Sequence, residues 1–133
     1  MKLTRAAVYA LLATIQLSES KAAPPLPCSK LAKLGRMPER FLLQILRTLV
    51  TRGILDSTRG VEGGYRLARP LSKITLLDLV EAVDGPLHCE AENVPNLAVP
   101  SQQRLSEVLD QISDDRRKRL ASVTLANLKP AMC

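Results

Sequence analysis

The chain has 133 residues and a net charge of +6, and it is 46% hydrophobic but only 2% aromatic. This length suits one domain with an added element, and a core with so few rings must be packed by aliphatic side chains, which favours helices. No apolar run reaches the roughly 18 residues that a membrane-spanning helix needs. The basic, apolar N-terminus leads into polar residues without a small-residue cleavage site, so we expect a cytoplasmic protein with no membrane partner.

The charge is unevenly distributed along the chain. Residues 1–70 hold 12 Lys and Arg against 4 Asp and Glu, a net +8, whereas residues 71–133 hold 7 against 9, a net −2. A basic surface of this kind favours a polyanionic partner, and nucleic acid is the commonest polyanion in the cytoplasm. A surplus of solubilising cations would give the same sum, so the charge alone leaves both interpretations open.

The residues that usually carry catalysis or metal binding are few. Cys28, Cys89 and Cys133 lie far apart, which fits neither a disulfide framework nor a C-x-x-C metal site and suits a reducing compartment. The single histidine, His88, precedes Cys89, but adjacent side chains usually point apart, and no third group is evident to orient a catalytic pair. With no cofactor fingerprint either, we predict that the protein is not an enzyme.

The first predicted helix begins after Thr4, a residue type that caps helix N-termini. Four apolar residues recur at helical spacing and predict its buried face: Val8, Leu11, Leu12 and Ile15. The helix must end before the proline-containing stretch 22–27.

A short helix, a tight turn and a longer helix are predicted next. Ser29 is the expected cap of the short helix and Gly35 punctuates its end; the longer helix begins at Pro38 and runs to about Arg52, before Gly53. Its apolar face consists of Phe41, Leu42, Ile45, Leu46, Leu49 and Val50. This layout is typical of a helix-turn-helix, in which the second helix enters the DNA major groove.

The outer face of the longer helix predicts the DNA-reading surface. It carries Glu39, Arg40, Leu43, Gln44 and Arg47. Gln and Arg are side chains that pair bidentately with base edges. Two packed helices with a solvated charged face would give the same pattern. The segment that follows is therefore needed to choose between this interpretation and a DNA-reading helix.

That segment predicts a β-hairpin wing. Ile54–Ser57 reads as one strand, the glycine-rich stretch 58–64 as a turn, and Tyr65 and Leu67 belong to a second strand. Arg59 lies near the tip, where an arginine can reach the negative potential of a narrow minor groove. A phosphate-binding loop is the alternative, but the glycine spacing fits no nucleotide-binding pattern.

The C-terminal part predicts two further helices. Thr75 caps a helix that runs through Val83, and after a loop at 86–100 Ser101 caps a long helix. The apolar stripe of the long helix would be exposed in a monomer and predicts a homodimer; it consists of Leu105, Val108, Leu109 and Ile112. Thr124 is expected to cap a short last helix, where residues 123–125 echo residues 74–76.

The fold class predicted from these elements is mainly α with a small β wing: a winged helix-turn-helix with a long C-terminal dimerisation helix. The expected organisation is a DNA-binding domain at 1–85, a sensor-like loop at 86–100, and the dimerisation helix and tail at 101–133.

Several motifs in combination carry a resemblance to a known family. They are Tyr9-Ala10-Leu11, Phe41-Leu42 with Gln44-Ile45-Leu46, Arg59-Gly60 with Gly63-Gly64-Tyr65, Leu67-Ala68-Arg69-Pro70 and Ala82-Val83-Asp84-Gly85. With them the chain resembles the IscR/NsrR family of winged-helix repressors, also called the Rrf type. The resemblance implies a homodimer on a palindromic operator in double-stranded DNA, with helix 38–52 in the major groove and Arg59 in the minor groove.

The DNA-contacting residues expected from the pattern and the resemblance together form one set. It comprises Thr4, Arg36, Glu39, Arg40, Leu43, Gln44, Arg47, Arg59, Gly60, Gly63, Gly64 and Tyr65. The chain departs from the family at Leu43, where relatives often have a polar residue, and at Gly35-Arg36, where relatives often place the glycine one position later. These departures bear on base preference and on the geometry of the turn.

A further departure concerns the iron–sulfur cluster that many family members bind in the loop after Asp84. This loop keeps only Cys89 and His88, whereas a cluster takes about four ligands. We therefore expect no cofactor, and a small-molecule or protein effector as the signal. Redox or iron–sulfur sensing through Cys89 is the alternative, although the acidic Glu90 and Glu92 disfavour a reactive thiolate. A winged helix that binds only protein is the alternative from another class, and steep salt dependence of DNA binding would exclude it.

Overall fold

A computed structural model describes residues 2–19, 25–91 and 95–129 of the chain. Within them the structure contains five α-helices, a two-stranded antiparallel sheet and two short 3-10 helices, as the predicted fold class requires. The elements are α1 (Arg5–Glu19), α2 (Cys28–Gly35), α3 (Glu39–Thr51), β1 (Leu55–Thr58), β2 (Gly64–Leu67), α4 (Leu76–Asp84) and α5 (Val99–Ala121), with 3-10 helices at Leu71–Lys73 and Leu125–Leu128. None of the described helices is long and apolar enough to cross a membrane.

The core lies where α1, α3 and α4 pack against one another, with α2 and the hairpin closing it. Leucine and isoleucine dominate it, as the scarcity of aromatic residues predicts. The largest fully buried apolar side chains are Leu31, Leu42, Leu46, Leu49, Ile54, Leu55, Ile74, Leu79 and Leu125. Because a buried Leu or Ile contributes roughly 1.5–3 kcal/mol, this core is the main source of stability.

The buried face of α1 differs from the predicted one. Val8 and Leu12 are exposed, Leu11 and Ile15 are half-buried, and the face that enters the core consists of Ala7, Ala10, Ala13, Thr14 and Leu17. The prediction was wrong because small alanine side chains favour close approach of α1 to α3 and α4, while larger residues fit better at the rim. The buried Thr14 hydroxyl is satisfied locally, since it donates to the carbonyl oxygen of Ala10 at 2.6 Å.

Helix α2 begins earlier than predicted but ends at Gly35, as predicted. α2 begins at Cys28 with Pro27 as its N-cap, so Ser29 lies inside the helix and is not its cap. At the other end Arg36 adopts the left-handed conformation, with φ 52° and ψ 49°. Gly35, the preceding residue, leaves room for the Met37 side chain, because a Cβ at position 35 would lie 2.6 Å from the Cε atom of Met37. A left-handed conformation at a non-glycine residue lowers the free energy of unfolding by about 1–2 kcal/mol.

The wing is fixed to the chain ahead of α2 as well as to α3. β1 and β2 pair from Leu55 opposite Leu67 to Thr58 opposite Gly64, so β1 lies one residue later than predicted. Leu26 adds an isolated bridge: its N–H donates to the Tyr65 carbonyl at 3.0 Å, and the Tyr65 N–H donates back at 2.8 Å. A Cβ on Gly64 would lie 2.4 Å from the Leu26 carbonyl, so this close approach requires glycine.

The sequence echo at Thr75 and Thr124 has a structural counterpart. Thr75 forms a capping box with Asp78, Thr124 forms one with Asn127, and the two threonines pair across an antiparallel bridge. The Leu125 N–H donates to the carbonyl oxygen of Ile74 at 2.9 Å. Both predicted caps are confirmed. Their pairing holds the segment after α5 against the core, where Leu125 is buried.

α5 begins two residues earlier than predicted. Its N-cap is Ala98, and Pro100 lies in its first turn, a position that suits proline, so Ser101 is not the cap. The loop therefore ends at residue 98 rather than 100. Three residues of the predicted sensor loop, 92–94, and the last four of the predicted tail, 130–133, lie outside the described residues.

Candidate nucleic-acid interface

The outward face of α3 is the first component of the site. Glu39, Arg40, Gln44 and Arg47 are exposed, and Leu43 is half-buried. The opposite face of α3 is locked into the core, so the backbone that carries the exposed side chains is held rigidly.

A cleft of about 650 Å³ separates α3 from the wing. We call it the helix–wing cleft, and it is lined by Pro27, Cys28, Arg47, Val50, Thr51, Ser57, Thr58, Arg59, Gly60, Gly64 and Tyr65. The structure therefore brings Arg47 of α3 together with four residues of the predicted wing contacts. Gly63 closes the wing turn, since its N–H donates to the Gly60 carbonyl oxygen at 3.0 Å.

Sequence reasoning missed four polar residues that line this cleft: Cys28, Thr51, Ser57 and Thr58. Their polar character was visible in the sequence, but only the packing of β1 beside α3 shows that they share a surface. Strand alternation could have suggested Ser57, which lies directly opposite Tyr65 in the hairpin.

Two titratable side chains meet in the cleft. Burial raises the pKa of the Tyr65 phenol, the nearby Cys28 thiol adds to the rise, and the Arg47 guanidinium opposes it. Burial also raises the pKa of Cys28, with a further contribution from the Glu39 carboxylate. Both groups are therefore uncharged at neutral pH, and the Tyr65 hydroxyl keeps its proton as a hydrogen-bond donor.

Thr4 and Arg36, two of the predicted contact residues, belong neither to α3 nor to the wing and do not line the cleft. The Thr4 hydroxyl accepts the Ala7 N–H at 3.1 Å and donates to the Asp84 carboxylate at 2.8 Å, so it caps α1 and ties that helix to the end of α4. Arg36 is exposed at the turn between α2 and α3.

The loop after α4 is fastened to α5. The Cys89 N–H donates to the Ser113 hydroxyl at 2.8 Å, and His88 Nε2 lies 3.4 Å from a carboxylate oxygen of Glu90. Together with α5 this loop borders a shallow groove of about 380 Å³, which is lined by His88, Cys89, Glu90, Ala91, Leu97, Gln102, Leu105, Ser106, Leu109 and Asp110.

The four predicted dimerisation residues fall into two groups. Leu105 and Leu109 line the groove, whereas Val108 and Ile112 do not, and Ile112 is 42% exposed. Residues 114–119 of α5 are all charged, and Arg117 among them forms an ion pair with Glu81 of α4.

The described part of the loop offers fewer donors than an iron–sulfur cluster takes. Across residues 2–19, 25–91 and 95–129, no three His, Cys, Asp or Glu side chains gather in a way that could hold a metal ion. A chain contributes the Cys89 thiol and the neighbouring imidazole here, while cluster ligation takes about four donors, usually thiolates.

Comparison with known proteins places this geometry in a family. The model of the Rrf2 family, described as an iron-dependent transcriptional regulator, matches residues 3–130. A protein of Mycobacterium tuberculosis assigned as an HTH-type transcriptional regulator is 38% identical over 87 residues, which are 65% of this chain and 54% of that relative. The chain thus spans about half the length of that relative. An rrf2-like protein of Rhodobacter capsulatus, assigned to the same class, is 31% identical over 124 residues, 91% of this chain and 80% of the relative.

Solved structures agree with the sequence comparison. The structure of CymR, the global cysteine regulator of Bacillus subtilis, matches with a TM-score of 0.73 and 25% identity, covering 96% of this chain and 95% of that one. The T. potens IscR structure has a TM-score of 0.70 at 22% identity, covering 100% and 94%, and supports the fold alone. These relatives are regulators, the class that the sequence predicted in place of an enzyme. The chain belongs to the Rrf2 family of transcriptional regulators.

Proposed function

We propose that this protein is a sequence-specific repressor that binds double-stranded DNA as a homodimer on a palindromic operator in the cytoplasm. The observation that supports the proposal is the helix–wing cleft, which Arg47 of α3 and Arg59 of the wing both line. That surface belongs to the part of the chain, residues 1–70, with a net charge of +8.

In the proposed complex α3 lies in the major groove, which is about 12 Å wide and admits a helix. Arg40 and Gln44 can pair with base edges, and the half-buried Leu43 offers an apolar surface to a thymine methyl group. The exposed Arg59 enters the neighbouring minor groove.

The proposed dimer forms through α5. Val108 is half-buried and Ile112 is exposed in the described part of the chain, and a second copy would bury the remaining apolar surface of both. A two-fold dimer of this kind reads two half-sites about 34–36 Å apart, one turn of DNA.

Selection of bound sequences from a pool of random duplexes tests the proposal, because it reveals any operator sequence and its symmetry directly. The expected result is an enriched inverted repeat with half-sites one turn apart. Arg40→Ala should alter or abolish the enriched sequence, whereas Arg104→Ala, an exposed arginine on α5, should leave it unchanged. Failure of the unmodified protein to enrich any duplex would refute the proposal.

We also propose that the protein works without an iron–sulfur cluster and that an effector acts at the loop and α5. The few donors around Cys89 support the first of these proposals, and the groove between the loop and α5 supports the second. Protein expressed and purified anaerobically should be colourless and free of stoichiometric iron and sulfide, and Cys89→Ser should leave DNA affinity in reductant unchanged. Visible-region absorption with stoichiometric iron that disappears in Cys89→Ser would contradict it and favour the sensing alternative.

A further inference from the structure

One carboxylate joins three segments where the winged unit, α1 to α4, meets α5. The Glu81 carboxylate accepts the Leu87 N–H at 2.7 Å and pairs with the Arg117 guanidinium of α5. The neighbours of Glu81 on α4, Val80 and Ala82, are both buried, so the backbone that carries the carboxylate is held firmly. The side chains of the pair are 22% and 40% exposed, and salt screens such a pair less than a fully exposed one. The ion pair therefore links the orientation of α5 to that of the winged unit.

The C-terminal end of α5 is attached to the start of α4, close to this ion pair. The Leu76 N–H donates to the Val123 carbonyl oxygen at 2.8 Å, so α5 can tilt only about this end. From Ser122, the C-cap of α5, the helix extends about 21 Å back to Val108. A tilt of about 10° at the attached end would move Val108 by about 4 Å, slightly more than the rise of about 3.4 Å per base pair of DNA. A small change in the angle of α5 is therefore large on the scale of an operator.

We propose that the ion pair between Glu81 and Arg117 sets the distance between the two copies of α3 in the dimer, and with it the half-site spacing that the protein accepts. This inference rests on the proposed function, in which Val108 and Ile112 of α5 form the dimer contact. Because α3 belongs to the winged unit, the angle between that unit and α5 determines where the two copies of α3 lie. Paired helix-turn-helix units bind half-sites at a defined separation. A loosened angle therefore lowers the affinity for one spacing and widens the range of spacings that bind.

Both members of the ion pair lie outside the DNA-reading elements. Glu81 belongs to α4 and Arg117 to α5, whereas the proposed DNA contacts come from α3 and the wing. Glu81 and Arg117 are therefore positioning residues. Their loss should alter the geometry of the dimer and leave the contacts of each winged unit with its half-site intact.

The test measures affinity for four duplexes by fluorescence anisotropy: the selected operator, the same half-sites moved apart by one and by two base pairs, and a single half-site. Glu81→Gln removes the charge but keeps the size of the side chain and an oxygen that can accept the Leu87 N–H. We expect it to weaken binding to the selected operator about 3- to 10-fold and to reduce the preference for the selected spacing by a similar factor. The affinity for the single half-site should not change.

Two further variants identify the ion pair as the cause. Arg117→Gln should give the same result as Glu81→Gln, and the double variant should add nothing, because both substitutions remove one shared interaction. Glu107→Gln is the matched control: it breaks an ion pair of the same chemistry, with Arg104, that lies entirely within α5. This control should bind all four duplexes as the unmodified protein does.

The outcomes separate the inference from the proposed function. Spacing preference that stays unchanged in Glu81→Gln and Arg117→Gln would overturn the inference while DNA binding stands. An equal loss of affinity for the single half-site, or equal binding of the unmodified protein to every spacing, would overturn it too. If the unmodified protein binds none of the duplexes, the proposed function fails as well. Urea unfolding verifies that each variant is folded under the conditions of the assay.

Discussion

The winged unit and α5 are stabilised in contrasting ways. The buried apolar side chains come from the unit that spans α1 to α4 and from Leu125 just beyond α5, whereas α5 itself, with 23 residues, buries Ser113 alone among its described residues. Both regions show apolar residues at helical spacing. Such spacing therefore indicates a surface to be covered, and only the packing shows whether the same chain covers it.

Polar contacts with segments distant in sequence help to hold α5 in place. Arg117 pairs with Glu81, the Ser113 hydroxyl accepts the Cys89 N–H, and the paired caps at Thr75 and Thr124 fix the end of the helix. Glu81 also accepts the Leu87 N–H at 2.7 Å, so one carboxylate joins α4, the loop and α5. Each such hydrogen bond contributes about 1 kcal/mol, far less than a buried leucine cluster.

The largest expected effect tests this contrast directly. Leu79→Ala removes a fully buried side chain of α4 and should lower the free energy of unfolding by about 2–5 kcal/mol. Ile112→Ala on α5 should lower it by less than about 1 kcal/mol when the protein is dilute enough to be monomeric, because Ile112 is largely exposed there. Urea unfolding followed by circular dichroism measures the free energy of unfolding of both variants. Equal decreases would mean that Ile112 of α5 belongs to the core.

A second prediction concerns Val108 and Ile112 of α5, which the described part of the chain covers only in part. Val108→Asp combined with Ile112→Asp should give monomers in sedimentation velocity, since two carboxylates would be buried without partners in the interface. Leu109 is less suitable for this test because it lines the loop groove. The control, Gln103→Asp with Gln111→Asp, adds the same charge at exposed positions on other sides of the helix and should stay dimeric. Persistent dimers in the apolar-face variant would exclude this interface.

A smaller effect is expected at the turn between α2 and α3. Arg36→Gly should raise the free energy of unfolding by about 1 kcal/mol, because glycine adopts a positive φ without steric cost. The same variant should bind DNA less tightly if Arg36 contacts phosphate. Arg36→Ala removes the side chain but keeps the strained positive φ. This variant should therefore bind DNA less tightly without the rise in the free energy of unfolding. Thermal unfolding measures the stability of the two variants, and fluorescence anisotropy measures their DNA affinity. An Arg36→Gly variant that is less stable than the unmodified protein would show that Arg36 is not strained.

The sequence predicted the elements well where local chemistry determines them. The long apolar face of α3, the glycines of the wing and the threonine caps each act within a few residues, and the structure agrees with them. The buried face of α1 was not predictable, since its alanines pack through their small size and not through strong hydrophobicity.

Contacts between segments distant in sequence set the remaining features. The pairing of Leu26 with Tyr65 and the approach of Ser57 and Thr58 to α3 depend on how the hairpin docks, which no periodicity encodes. The left-handed Arg36 was signalled only by the displaced glycine before it. Sequence reasoning therefore found the two walls of the candidate site and missed the cleft between them.

The central claim is that α3 and the wing together form a DNA-binding surface, and the affinity of Arg59→Ala for the selected duplex tests it most directly. Fluorescence anisotropy at fixed salt should show a loss of about 1–3 kcal/mol relative to the unmodified protein. Arg104→Ala, which removes an exposed arginine from α5, should bind as the unmodified protein does. An Arg59→Ala variant with unchanged affinity, or equal losses in both variants, would contradict the account.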